Sequence, residues 1–321
     1  MGSRRWKGGP YHARTMIGVF RRRRAALAGL LLAAVPGAAL GHGSNAPPPD
    51  MVTVVGLWVL DPLPIVLLIV SALAYLLAAR MVDRAHPRAP VSRWRTACWL
   101  AGLAVIGVAL LSAIDVYAEE LLSVHLVQHL LLGLVAPPLL ALGMPVTLAL
   151  RASSPGVRRG ILLPILHSRV VRVLASPLVA WPLFVIGLWA THFTPLYDAA
   201  LEDPVIHVGE HLVFIITGVL FWWPVIGADP LPHRMAAGWR ALYLLAVMPF
   251  CTAIGLIIYF APTVLYAHYA TNLRTWGPSP LTDQQLGGLL MWGVGDLIIL
   301  AAITWVIASW MGTEAQRELR A

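Results

Sequence analysis

Seven apolar runs, each close to twenty residues long, follow one another between residues 57 and 311. A helix of about twenty apolar residues crosses the roughly 30 Å hydrocarbon core of a bilayer. The runs fall near Trp58–Ala79, Ala97–Ile114, Leu121–Leu142, Val170–Thr191, Val205–Ile226, Arg240–Ala261 and Gln285–Trp310. Composition agrees, with 59% hydrophobic and only 12% charged residues, where a soluble domain carries about 25% charged. Disorder is excluded as well, because it requires low hydrophobicity. The expected fold class is all-α, a polytopic membrane bundle of seven helices. Pro137-Pro138, Pro177, Pro182 and Pro249 interrupt the runs. Neighbouring helices can satisfy the carbonyls that such prolines free.

The formal charge of +8 invites a nucleic-acid reading, but the placement of the charges rules it out. Eight of the 23 Lys and Arg precede residue 25, and nearly all the rest sit in the gaps between apolar runs. Fourteen fall on one side: Arg80, Arg84, Arg88, Arg93 and Arg95, then Arg151, Arg158, Arg159, Arg169 and Arg172, then Arg234, Arg240, Arg317 and Arg320. The opposite connections hold Arg274 and the acids Asp115, Glu119, Glu120, Asp198, Glu202 and Asp203. Cytoplasmic loops collect Lys and Arg, so the N-terminus is expected outside and the C-terminus in the cytoplasm.

An eighth apolar run, Ala25–Leu40, differs from the others. Arg21 to Arg24 precede it, and Gly41 and a Pro-rich stretch follow. A basic start, a short apolar stretch and a small-residue exit read as a signal peptide cleaved at Ala39-Leu40-Gly41. An uncleaved first helix is the alternative, and sixteen residues is short for one. The expected organisation is a leader over 1–41, a short outer segment over 42–56, a membrane domain over 57–311 and a cytoplasmic tail over 312–321. Cleavage would make His42 the N-terminal residue, whose amine and imidazole together can chelate copper.

This topology gathers histidines that the sequence scatters. His125 and His129 open the third run, His192 closes the fourth, and His207 and His211 open the fifth. All five are expected at the outer level. The two i, i+4 pairs each share a helix face. Imidazole clusters suit copper, zinc or iron, and polar groups inside spans are costly without a partner. Five such groups at one depth point to a metal or haem site more than to tolerance of the head-group region. Gln128 and Glu210 lie beside the pairs. Asp115 ends the second run on the same side, where it could hydrogen-bond a ligand histidine and fix its tautomer, or be an ordinary loop acid.

Asp296, deep in the last run, needs a partner, and a bond to a neighbouring helix is favoured over a proton relay. Met144, Met248 and Met291 could be soft copper(I) ligands, although methionine in spans mostly packs. Cys98 and Cys251 form no metal-binding or redox motif and read as small buried hydrophobes. His86, His167 and His233 belong to cytoplasmic loops, and His268 to the outer side.

Four blocks resemble the CtaG-like cytochrome c oxidase assembly factors, associated with caa-type oxidases. They are HLVQHLLLGLVAPPLLALGMPVTLALR (125–151), THFTPLYDAAL (191–201), HVGEHLVFIITGVLFWWPVIGADP (207–230) and WGPSPLTDQQLGGLLMWGVGD (276–296). The resemblance runs from about 50 to 310. It implies a seven-span protein of the bacterial inner membrane that supports maturation of a haem-copper oxidase by handling copper. The metal positions it implies are His125, His129, His192, His207 and His211, with Asp115, Gln128 and Glu210 as supporting residues. The partners it implies are an oxidase subunit, the lipid bilayer and a periplasmic copper donor, with no nucleic acid.

Other functions remain open on the residues alone. Histidines on adjacent helices could ligate a haem in a redox protein. His207-Val208-Gly209-Glu210-His211 matches H-x-x-E-H, the inverted zincin pattern, with Glu210 as general base. A transporter is a fourth reading, although no inverted repeat is evident.

Overall fold

A computed structural model describes residues 46–230, 233–272 and 274–318. The leader over 1–41 and its cleavage site, and His42 as a chain start, lie outside the described residues. Among those described there is no strand, only an isolated bridge between Trp58 and Ser112. Among the described residues seven long helices make the bundle: α1 (Pro62–Ala85), α2 (Arg93–Leu111), α3 (Leu122–Ala152), α4 (Pro177–Phe193), α5 (Pro204–Ile226), α6 (Ala237–Phe260) and α7 (Pro280–Glu318). Six are long and apolar enough to cross a membrane alone. The seventh, α4, reaches that length only with the short helix Leu196–Glu202, to which it is bent by 67°.

The fourth expected span therefore needs correction. Val170–Thr191 is not one helix: Arg169–Leu174 forms a separate turn, and α4 starts at Pro177 behind Ser176. A proline at the first helical position starts a helix and cannot continue the preceding one. The second span also stops early, at Ser112, whose hydroxyl caps a new helix, Ala113–Ala118. The third runs on past Leu142 through a sharp turn at Met144, at φ 52°, into Pro145–Ala152.

Hydrogen bonds across the bundle define its two ends. At one, Ser123 at the start of α3 donates to Asp283 at the start of α7 at 2.5 Å. Glu120, just before α3, accepts from Asn272, between α6 and α7, at 2.8 Å. The first described residue joins this end, since Trp276 donates to the carbonyl of Ala46 at 3.0 Å. At the other end, Asp229 after α5 accepts from the backbone of Val146 and Thr147. It so supplies the cap that Met144, at the N-cap position of helix Pro145–Ala152, does not.

Close helix contact rests on glycine. A Cβ on Gly255 of α6 would fall 2.8 Å from the carbonyl oxygen of Gly288 on α7, and one on Gly288 would fall 2.7 Å from that of Gly255. Gly288 of the last span thus serves packing within the chain. Asp296 of α7 accepts from Thr252 of α6 at 2.7 Å, the interhelical bond expected of it.

One distortion shapes α3. Residues Leu131–Val135 form a π turn, with the Ala136 N–H reaching back to the Leu131 carbonyl. Pro137 and Pro138 follow directly and have no N–H to continue the ladder. The wider turn absorbs the break, one turn beyond His129.

Candidate metal centre

Five histidines and one glutamate meet inside the histidine end of the bundle. His125 and His129 come from the first two turns of α3, His192 from the last turn of α4, and His207, Glu210 and His211 from the start of α5. Asp203 and Pro204 set the start of α5: the Asp203 carboxylate accepts from the Val205 N–H at 2.7 Å. The rings form a continuous chain. His211 and His207 have centroids 4.2 Å apart, His207 and His125 5.5 Å, His125 and His129 4.4 Å, and His129 and His192 5.3 Å. All are buried except His207, which is half-buried.

The tightest group is His125, His129 and Glu210. The two Nε2 atoms lie 2.8 Å apart, and each is 3.7 Å from Oε2 of Glu210. Ligands about 2.0–2.1 Å from a metal stand about 2.9 Å apart at right angles and about 3.3 Å apart in a tetrahedron. The three atoms fit around one ion with small adjustments.

Two tautomers follow from the neighbours. Tyr269 donates its hydroxyl hydrogen to the Ala118 carbonyl at 2.6 Å. Burial holds that hydroxyl well above the ordinary phenol range, so it keeps its proton. It can only accept from His125 Nδ1, 3.0 Å away. His125 therefore carries its proton on Nδ1 and turns a lone pair on Nε2 inward. His192 Nδ1 donates to the Leu188 carbonyl at 2.7 Å, which leaves Nε2 bare. Such outer bonds fix ring orientation and raise ligand basicity.

The centre is short of partners. His129 Nδ1, His192 Nε2, His211 Nε2 and both Glu210 oxygens are buried with no hydrogen-bond partner. Each such group costs about 1–3 kcal/mol. Five together would cost roughly 5–15 kcal/mol, as much as a whole domain's stability. A cation between His125, His129 and Glu210 would give the Glu210 carboxylate the partner it lacks.

The sequence placed the five histidines at one level, and the structure brings them into contact. Glu210 joins them as a ligand-ready carboxylate facing His125 and His129, not merely as a neighbour. Gln128 and Asp115 turn away: Gln128 donates to the Ala109 carbonyl at 2.8 Å and to Asp115 at 2.9 Å. The bond expected from Asp115 to a histidine thus goes to Gln128. His268 donates to the Glu119 carbonyl at 2.9 Å and stays outside the cluster. The sequence reading missed Tyr269, Tyr197 and Phe214. Tyr197 packs 5.3 Å from His125, and Phe214 stacks 4.2 Å from His129. The signal for Tyr197 was its place in THFTPLYDAAL; Tyr269 had none.

Fold and site together define a polytopic α-helical membrane protein with a buried histidine–glutamate centre between three of its helices. The chain belongs to the cytochrome c oxidase caa3 assembly factor family, whose sequence profile matches residues 73–313. It is 33% identical over 271 residues to uncharacterised proteins of Mycobacterium bovis and Mycobacterium tuberculosis, covering 82% of this chain and 40% of each relative. A third, from Mycobacterium leprae, is 32% identical over 271 residues, covering 82% of this chain and 41% of the relative. The chain thus spans about two fifths of the length of these curated relatives. No solved structure matches it.

Proposed function

We propose that this protein supports metallation of cytochrome c oxidase by holding copper at His125, His129 and Glu210, with His192, His207 and His211 as exchange ligands around them. The observation that carries the reading is the trio of ligand atoms at 2.8 and 3.7 Å, surrounded by buried groups without partners. Imidazole and carboxylate accept copper, zinc or iron(II); the reading takes copper because a haem-copper oxidase is the client it supposes. The role is metal handling without turnover. The metal is cargo, and the extra histidines beside the trio offer it a stepwise way in and out.

The setting is the bacterial inner membrane. Basic residues collect at the end away from the histidines, so the positive-inside rule puts the centre at the periplasmic face and the C-terminus in the cytoplasm. A periplasmic donor would load the site, and an oxidase subunit in the bilayer would receive the copper.

The haem alternative has little room. Nitrogens 2.8 Å apart cannot sit on opposite faces of a porphyrin, and the cavity that His129 lines measures about 20 Å³, against several hundred for a cofactor pocket. In the zinc-hydrolase alternative Glu210 serves as base for His207 and His211, yet its oxygen lies within 4 Å of the other histidine pair.

The decisive experiment deletes the gene and measures copper in the purified oxidase. The expected result is oxidase subunits present but poorly metallated, restored by the wild-type chain and not by His125→Ala. Fully copper-loaded oxidase in the deletion strain overturns the reading.

A further inference from the structure

His129 has a second neighbour that the centre does not use. Its Nε2 is engaged by His125, while its Nδ1 is buried without a partner. The ring borders a cavity of about 20 Å³ beside the π turn. Cys251 from α6 and Met291 from α7 line the same cavity, and both are 4% exposed. The remaining lining is apolar, with Phe184, Leu188 and Phe214 prominent.

The size admits one water or one monatomic ion, since a single water needs about 10–15 Å³ of this measure. The chemistry disfavours water, which requires two to four polar partners. The lining residues offer it at most one imidazole nitrogen and two sulfurs, the latter weak hydrogen-bonding atoms. Imidazole, thiolate and thioether together are instead a soft donor set suited to copper(I).

We propose that this cavity is a second copper position, a copper(I) site held by His129 Nδ1, Cys251 Sγ and Met291 Sδ, next to the histidine–glutamate centre. The inference rests on the copper reading of that centre. Binding replaces the Cys251 thiol proton, which leaves to water, so the charge of the site does not change. A neutral complex is the form that an apolar interior tolerates. A neutral imidazole offers one lone pair. His129 can therefore serve the upper centre through Nε2 or the cavity through Nδ1, and occupancy of the two by way of His129 is exclusive.

The test uses the full chain purified in detergent. Anaerobic copper(I) is titrated against a chromophoric copper(I) chelator, and X-ray absorption identifies the atoms bound to copper. Copper(II) is read separately by electron paramagnetic resonance. The wild type is expected to hold one copper(I) with sulfur neighbours. Cys251→Ala, and independently the volume-conserving Met291→Leu, should each weaken copper(I) binding at least tenfold and reduce the sulfur signal, with copper(II) binding retained. Copper(I) surrounded only by nitrogen and oxygen overturns the second position and leaves the upper centre standing. Sulfur-bound copper(I) without any copper(II) site supports the second position and defeats the upper one. No binding in either oxidation state defeats both.

Discussion

His125 and His129 place their Nε2 atoms 2.8 Å apart, one helical turn from each other on α3. The Tyr269 bond fixes the proton of His125 on Nδ1, so in the metal-free state His129 must donate to His125 across this gap. A metal would displace that proton and take both lone pairs. The pair is thus a gate with two fillings, a hydrogen bond between neutral rings or an ion, and Glu210 at 3.7 Å from each nitrogen would balance the charge of the ion.

Removing a ligand should show directly in metal content. His125→Ala, His129→Ala and Glu210→Gln are each expected to lower bound copper(II) by at least tenfold in an electron paramagnetic resonance titration of the purified protein. Gln128→Ala should keep it, because Gln128 bonds Ala109 and Asp115 instead. Equal copper in all four variants would sink the assignment.

Tyr269→Phe keeps the ring and removes the hydroxyl that orients His125. Loss of such an outer partner typically costs about 10–100-fold in metal affinity. A competition titration should show that drop with the yield of folded protein unchanged. Wild-type affinity would mean that the tautomer of His125 is set by something else.

The α6–α7 contact predicts a contrast between glycines of one helix. Gly288→Ala puts a methyl 2.7 Å from backbone of α6, whereas Gly293 has nothing within 4 Å of the same position. Overpacking of this kind costs about 1–3 kcal/mol, while alanine in an open helical site is neutral or favourable by up to about 1 kcal/mol. Thermal melts in detergent should show Gly288→Ala well below wild type and Gly293→Ala level with it or above.

Asp115, beyond the end of α2, gives a pH signature. Burial pushes its carboxyl up to about 7, although the hydrogen bond from Gln128 pulls the other way. A raised folded-state value means that the stabilising contribution is complete below about 4, the unfolded value, and is lost as pH rises through about 7. Wild type should therefore fall behind Asp115→Asn in melting temperature as pH is raised from 5 to 8. A gap that does not change with pH would contradict this.

The sequence carried the helices and the end at which the histidines gather, because both follow from apolar length and from which loops hold arginine. It did not carry the site's inner geometry. Glu210 faces a histidine pair more than eighty residues away, and Tyr269 reaches His125 across 144 residues of chain. No local period encodes such contacts. The break before Pro177 was misread for a different reason: Val170 to Leu174 is apolar enough to extend a span, and the start signal of Ser176-Pro177 was outweighed by hydropathy.

The π turn of α3 adds one residue to a helix that would otherwise run in register. Each residue of an α-helix turns it by about 100°. The half of α3 that bears His125 and His129 is therefore out of phase with the half beyond the turn, which meets Gly218 of α5 through Pro137. Deleting a single residue from Leu131–Val135 would restore a regular ladder and swing both imidazoles about a quarter-turn away from Glu210. Substitutions along this stretch are gradual in effect; its length is not, and a chain one residue shorter there would keep its helices and lose its centre.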